Sequence, residues 1–152
     1  MKKLVLILFV LASIQSFSQN DLKRIAQFNL KNKVALQGYD PVAYFKENKA
    51  IKGKSNFIAS YMGVTYKFSS VANKDSFMRN PAIYEPQFGG WCAFAMGDSG
   101  DKVDVNPETF KIIDGKLYLF YNAFFNNTLK SWNKDEANLK AKAENNWKKI
   151  YK

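Results

Sequence analysis

The sequence predicts an α+β fold: a small single domain with two β-hairpins, short intervening helices and two C-terminal helices. Three observations carry this. Runs with period-two alternation flank Met62-Gly63, and apolar runs flank Asp114-Gly115, the strongest two-residue turn signal in the chain. Helix-start signals, Asp40-Pro41 and Ser69-Ser70, stand beside the first of them. From Asn122 onward the apolar period becomes helical. The chain has 152 residues, 47% of them hydrophobic and 16% aromatic. That composition suits one packed domain and excludes disordered, collagen-like and polytopic membrane classes.

Met1-Lys2-Lys3, the apolar run 4–14 and the small residues Ser16 and Ser18 have the order of a secretory signal peptide over residues 1–18. The apolar run is too short for a comfortable transmembrane span. Cleavage is expected after Ser18, and the mature chain is expected to be periplasmic or secreted rather than integral to a membrane. Lys2 and Lys3 supply two of the ten net positive charges, which leaves +8 on the mature chain. Residues 19–32 read as a short helix or lead-in, and residues 33–152 as the domain.

Residues 34–39 suit a short strand, and Asp40 with Pro41 starts a helix over 41–46. Residues 56–61 and 64–68 are the strands of the first hairpin. Phe57, Ala59 and Tyr61 share one face of the first; Val64, Tyr66 and Phe68 share one face of the second. Ser69 or Ser70 caps a helix carrying Val71, Ala72, Phe77 and Met78, which Asn80-Pro81 stops. Residues 87–97 are apolar, punctuated by Gly89-Gly90, and fit a strand or a buried helical turn. Residues 98–107 are a polar loop. Residues 110–113 and 116–120 form the second hairpin. Phe125, Leu129 and Trp132 follow the i, i+4, i+7 rule, and Leu139, Ala143, Trp147 and Ile150 give a second helical stripe.

The chain has no histidine and one cysteine. This removes Ser-His-Asp and Cys-His catalysis, histidine-based zinc or iron sites, internal disulfides and CxxC redox pairs. Cys92 has three readings: a small buried hydrophobe in an aromatic core, a soft-metal ligand with Met96 four residues on, or a reactive thiol. Copper(I) is the metal that thiolate and thioether favour, with Met62 and Met78 as further donors. Asp98, Asp101 and Asp104 recur every three residues, a spacing that fails the calcium-loop pattern and fits a solvated loop. Asp40, Glu47, Glu85 and Asp114 are scattered carboxylates, three of them at cap or turn positions, so the chain reads as non-enzymatic. Lysines cluster at 46–54 and at Lys134, Lys140, Lys142, Lys148 and Lys149. They form either a solvated face or a docking face for an anionic envelope surface. The aromatics fall at core periods, which does not suit nucleic-acid stacking. Seven of the eight tyrosines lie between Tyr39 and Tyr121 and either bury satisfied hydroxyls or line a small pocket.

Four segments together resemble the exported stand-alone YHS-domain proteins. They are Gly38-Tyr39-Asp40-Pro41-Val42-Ala43-Tyr44-Phe45; Tyr66-Lys67-Phe68-Ser69-Ser70 with Asn80-Pro81 and Tyr84; Pro86-Gln87-Phe88-Gly89-Gly90-Trp91-Cys92-Ala93; and Asp114-Gly115-Lys116-Leu117-Tyr118-Leu119. The match covers about residues 33–150, with the shorter YHS core at about 43–92. The resemblance implies a small α+β module, often with a signal peptide and with no general enzymatic role. YHS domains also occur in copper-transporting ATPases, where suspected metal binding rests on paired cysteines just after the second hairpin strand. Those positions hold Ser69 and Asn73 here, and the histidine of the family's name is absent. What transfers is the Gly89-Gly90-Trp91-Cys92-Ala93 segment. The expected function is an exported YHS-type binding module holding a soft metal such as copper, or a small ligand, near Cys92. The alternative is an interaction protein that docks on an anionic envelope partner through its basic face.

Overall fold

The structure is a computed structural model that describes residues 18–152. The signal-peptide reading of residues 1–17 lies outside the described residues. Ser18 caps helix α1 (Gln19–Gln27): its hydroxyl accepts from the Asp21 N–H, and the Asp21 carboxylate accepts from the Ser18 N–H. This reciprocal pair satisfies two otherwise free donors.

Strands β1 (Leu30–Lys31) and β2 (Val34–Ala35) pair antiparallel. They join the predicted hairpin of β3 (Lys54–Tyr61) and β4 (Val64–Phe68) in a mixed sheet of order β1-β2-β4-β3, with β2 and β4 parallel. Met62 and Gly63 turn the hairpin in the left-handed region, at φ 46° and 80°. The expected faces are present: Val64, Tyr66 and Phe68 are buried, and Phe57, Ala59 and Tyr61 are half-buried between exposed neighbours. Asp40 and Pro41 start α2 (Pro41–Lys46), as their chemistry dictates. Ser70, not Ser69, caps α3 (Val71–Arg79), accepting from the Asn73 N–H at 3.2 Å. Asn80 ends α3, and Pro81 opens α4 (Pro81–Tyr84).

The ambiguous segment after Pro86 is a tight turn over Gln87–Gly90 followed by helix α5 (Ala93–Asp98). Strands β5 (Asn106–Ile113) and β6 (Lys116–Phe120) form the second predicted hairpin. Its Asp114 and Gly115 are both left-handed, at φ 52° and 70°, as a two-residue turn that matches strand twist requires. Helices α6 (Thr128–Trp132) and α7 (Glu136–Ile150) close the chain. Helix α7 lies so close to α5 that a Cβ on Gly97 would stand 2.5 Å from the Leu139 carbonyl oxygen.

The expected helical period from Asn122 is corrected. The short β1–β2 pair apart, strands β7 (Asn122–Ala123) and β8 (Asn126–Asn127) form a third hairpin, and Phe124-Phe125 is its turn. The Asn127 carboxamide accepts from the Leu129 N–H, so α6 starts only at Thr128. The Thr128 N–H and hydroxyl both donate to the Tyr121 carbonyl, which shuts the base of the hairpin. Leu129 and Trp132 therefore keep their helical face while Phe125 leaves it. Phe124 and Phe125 have φ 50° and 64°, a region that costs a non-glycine residue about 1 kcal/mol. Both side chains are bare to solvent, at 92% and 112% relative exposure.

The core has two parts. One lies between the sheet, α2 and α3, and includes Val42, Tyr44, Tyr66, Phe68, Phe77 and Cys92. The other lies among α5, β6, α6 and α7, and includes Met96, Tyr118, Phe120, Trp132 and Leu139. A buried polar triad ties α1 to the first part. The Arg24 guanidinium pairs with the Glu85 carboxylate, which also accepts from the Tyr66 hydroxyl. Arg24 Nε donates to the Met62 carbonyl, and the guanidinium lies 4.5 Å from the Phe28 ring centroid. Burial, and then the adjacent Glu85 charge, raises the Tyr66 phenol well above its usual pKa, so it stays a donor.

Two tyrosines make a controlled comparison. Among the described residues, the Tyr118 hydroxyl is the buried side-chain polar atom with no hydrogen-bond partner, whereas that of Tyr66 serves the partly buried Glu85 carboxylate. Tyr66→Phe is expected to cost about 2 kcal/mol, because it removes a bond to a charged group. Tyr118→Phe is expected to leave stability unchanged or raise it by up to about 1 kcal/mol, because it removes an unmet desolvation penalty. Parallel urea melts of the two variants check both signs.

Candidate functional site

The site is built on two backbone devices. First, Phe88, Gly89 and Gly90 are left-handed in succession, at φ 54°, 60° and 86°. A Cβ on Gly89 would meet the Phe28 ring at 2.8 Å and Trp147 at 3.0 Å, so α7 and the chain after α1 clamp this turn. The Asn29 N–H donates to the Gly89 carbonyl at 2.9 Å, and the Asn29 carboxamide to that of Gly90 at 3.2 Å. Second, Cys92 leaves the turn as an isolated bridge beside Leu119 of β6 and donates its N–H to the Val103 carbonyl at 2.9 Å. The thiol is thereby fixed between β6, the loop before β5, and the base of the third hairpin.

Cys92 is fully buried. Its sulfur accepts from the Tyr121 N–H at 3.3 Å and lies 3.4 Å from Thr128 Oγ1. The Thr128 hydroxyl proton goes to the Tyr121 carbonyl at 2.9 Å. That leaves Thr128 Oγ1 as the acceptor and the Cys92 S–H as the donor. Over this floor opens a cleft of about 300 Å³. Its lining combines the largely apolar Phe94, Ala95, Val103 and Tyr121 with the polar Asp98, Ser99, Asn126 and Thr128. The volume lies at the lower end of the range for small-molecule sites.

Met96 lies one turn along α5, its N–H bonded to the Cys92 carbonyl. Its side chain packs in the second core part with Phe120 and Trp132 and is not on the cleft wall. Met62 sits in the β3–β4 turn, and Met78 is exposed on α3. Among the described residues, no three Cys, Asp or Glu side chains converge as a metal site. The three aspartates of the loop part company. Asp101 accepts from the Ser99 hydroxyl, whereas Asp104 accepts from Asn29 at 2.9 Å, Lys31 at 2.7 Å and Gln37 at 3.3 Å.

Ser69 and Asn73, at the positions where the resemblance places paired cysteines, converge on a third residue, Asp40, which is buried. Asp40 Oδ1 accepts from the Val42 and Ala43 N–H groups at 2.8 and 3.3 Å. Asp40 Oδ2 accepts from the Ser69 N–H at 2.8 Å, the Ser69 hydroxyl at 2.6 Å and the Asn73 carboxamide at 2.8 Å. The helix cap was readable from sequence; the second oxygen's partners, 29 and 33 residues away, were not.

Of the remaining tyrosines, Tyr44 donates its hydroxyl to the Pro107 carbonyl and Tyr39 to Glu108, both at 2.9 Å. Tyr121 alone of the seven borders the cleft. Of the lysines, Lys46 donates to Ser76, Lys52 lies over the Tyr39 ring and Lys140 pairs with Asp114. Lys134, Lys142, Lys148 and Lys149 are exposed. Glu85 is taken by Arg24, and Asp114 by Lys140. Among the described residues no helix is long and apolar enough to cross a membrane. Comparison with protein-family models, curated proteins and solved structures finds no match.

Two predictions follow from the carboxylates. Both Asp40 oxygens are acceptors, and an amide has one. Asp40→Asn is therefore expected to cost about 3 kcal/mol by turning an N–H₂ against donors. At this chain length that lowers the melting temperature by roughly 10 °C, which a thermal melt reads. For Asp104, desolvation raises its pKa, but the bonds from Lys31, Asn29 and the Val105 N–H outweigh it and hold the carboxyl below 3.8. Its stabilisation is thus present above pH 3.8 and is lost as pH falls through the lower folded value. Asp104→Asn is expected to flatten the acid limb of the stability curve below that pH. At pH 7 it costs under about 1 kcal/mol, because the group is half exposed.

Proposed function

We propose that this chain is an exported, non-enzymatic binding module of the YHS type, and that it holds a small molecule in the cleft over Cys92. The observation that carries the reading is the cleft itself: a lining that combines apolar and polar side chains, over a buried thiol locked in place by two bonds. Such a site takes a ligand with an apolar body and a hydrogen-bonding edge. The thiol arrangement supports a small molecule over copper. To coordinate Cu(I), Cys92 must lose the proton it gives Thr128, and Met96 must leave an apolar core. Export and the YHS assignment rest on the N-terminal pattern and on the four motif segments.

The test is a small-fragment screen read by amide chemical shifts, with a Cu(I) titration against a competing chelator in parallel. Fragments are expected to shift the Tyr121, Asn126 and Thr128 amides. Ala95→Phe, which fills the cleft from its half-buried wall, is expected to abolish those shifts and leave the fold intact. Stoichiometric Cu(I) binding lost in Cys92→Ala would overturn the small-molecule reading in favour of metal.

A further inference from the structure

Two phenylalanines at a hairpin tip are the least expected feature of this surface. Phe124 and Phe125 are 92% and 112% exposed, and each has a left-handed φ. An Asn-Gly or Asp-Gly pair takes this turn without steric cost, and Asp114-Gly115 takes the same turn in this very chain. The tip is not a loose loop. Asn122↔Asn127 and Ala123↔Asn126 pair across it, the Asn122 carboxamide donates to the Thr109 hydroxyl at 3.0 Å, and Thr128 locks its base to the Tyr121 carbonyl. The side chains are thus held outward and cannot fold back onto the core.

What such a tip fits is decided by area and charge. Two aromatic side chains offer about 200 Å² each, far below the roughly 800 Å² per partner of a stable protein interface. A small convex apolar tip is better matched by a solvent than by a flat partner, and the interfacial zone of a bilayer is such a solvent. The charge has the matching sign. Residues 18–152 carry a net +8, and the stretch 115–134 that bears the tip has three lysines and no acidic residue. Lys130, on α6, and Lys134, just beyond it, are exposed.

We propose that the Phe124-Phe125 tip is a lipid-inserting wedge that docks this protein on an anionic bilayer surface, with the lysines supplying the electrostatic half of the attraction. Neither part alone anchors firmly; together they give reversible, salt-sensitive attachment.

The experiment uses the full chain and vesicles of phosphatidylcholine with phosphatidylglycerol. Phe125→Trp adds an indole at the tip, read as the difference from the emission of Trp91, Trp132 and Trp147. That added emission is expected to shift to the blue on vesicles and to be quenched by lipid brominated near the headgroup. Residues 1–17 are common to all forms, and the indole reports the tip alone. Phe124→Asn with Phe125→Gly supplies the turn's preferred residues. It is expected to melt at or above the wild-type temperature while its vesicle affinity falls at least about tenfold. Raising salt, or omitting phosphatidylglycerol, weakens wild-type binding. An added indole that stays in water on vesicle-bound protein would overturn the wedge. So would unchanged affinity of the Asn-Gly form, or a shift of that form to a smaller species in sedimentation. The cleft is read separately, by fragments in solution without vesicles.

Discussion

The Asp40 carboxylate is a buried negative charge held by five N–H and O–H donors, and the placement of both core parts runs through it. A carboxylate out of water is costly unless dipoles replace its hydration shell. Here the dipoles come from the start of α2, the end of β4 and the first turn of α3, so those three elements can meet in one arrangement only. Helix α2 then delivers Tyr44 edge-on to Phe110 at 4.8 Å, with its hydroxyl on the Pro107 carbonyl. That sets β5 against the first core part. Strand β6 follows its partner, and Leu119 of β6 is the residue that Cys92 bridges. The position of the thiol is thus inherited, through a helix and a hairpin, from a capping aspartate 52 residues earlier.

The same carboxylate accounts for what Ser69 and Asn73 do in this chain. A cysteine at either position would present a soft, weakly donating group to a hard carboxylate. The serine and asparagine present strong donors instead. In this chain the polar pair serves the charge that fixes the fold, and the cleft lies elsewhere, over Cys92. Asp40 is sealed, whereas Asp98, the acidic group on the cleft, is exposed.

How much of this was legible follows from the range of each interaction. Caps and turns are local, so Asp40-Pro41, Met62-Gly63 and Asp114-Gly115 announced their elements within four residues. Period-two alternation correctly sorted both faces of β3 and β4. The cleft was legible only at Cys92, because Val103, Tyr121 and Thr128 reach it from across the chain. The third hairpin was misread for a definite reason. Phe125, Leu129 and Trp132 do fall at helical spacing, and Asn-Ala-Phe-Phe-Asn-Asn contains no glycine to signal a turn. Apolar periodicity assumes that large apolar residues are buried. At Phe124 and Phe125 they are not, and a rule built on burial fails where exposure is the purpose.

The cleft and the tip share a wall. Tyr121, Asn126 and Thr128 border the cleft, and the same residues flank or form the strands of the hairpin that carries the two phenylalanines. The Thr128 hydroxyl stands at the centre, accepting from the thiol on one side and donating to the Tyr121 carbonyl that closes the hairpin on the other. A ligand that contacts Thr128 therefore bears on the bond that holds the tip outward, and whatever engages the tip bears on the cleft through the same atom. Coupling of this kind is reciprocal: any preference the ligand has for one hairpin geometry is returned as a preference of that geometry for the ligand. Two sites that sequence places at unrelated positions are, in the fold, the two sides of one short hairpin.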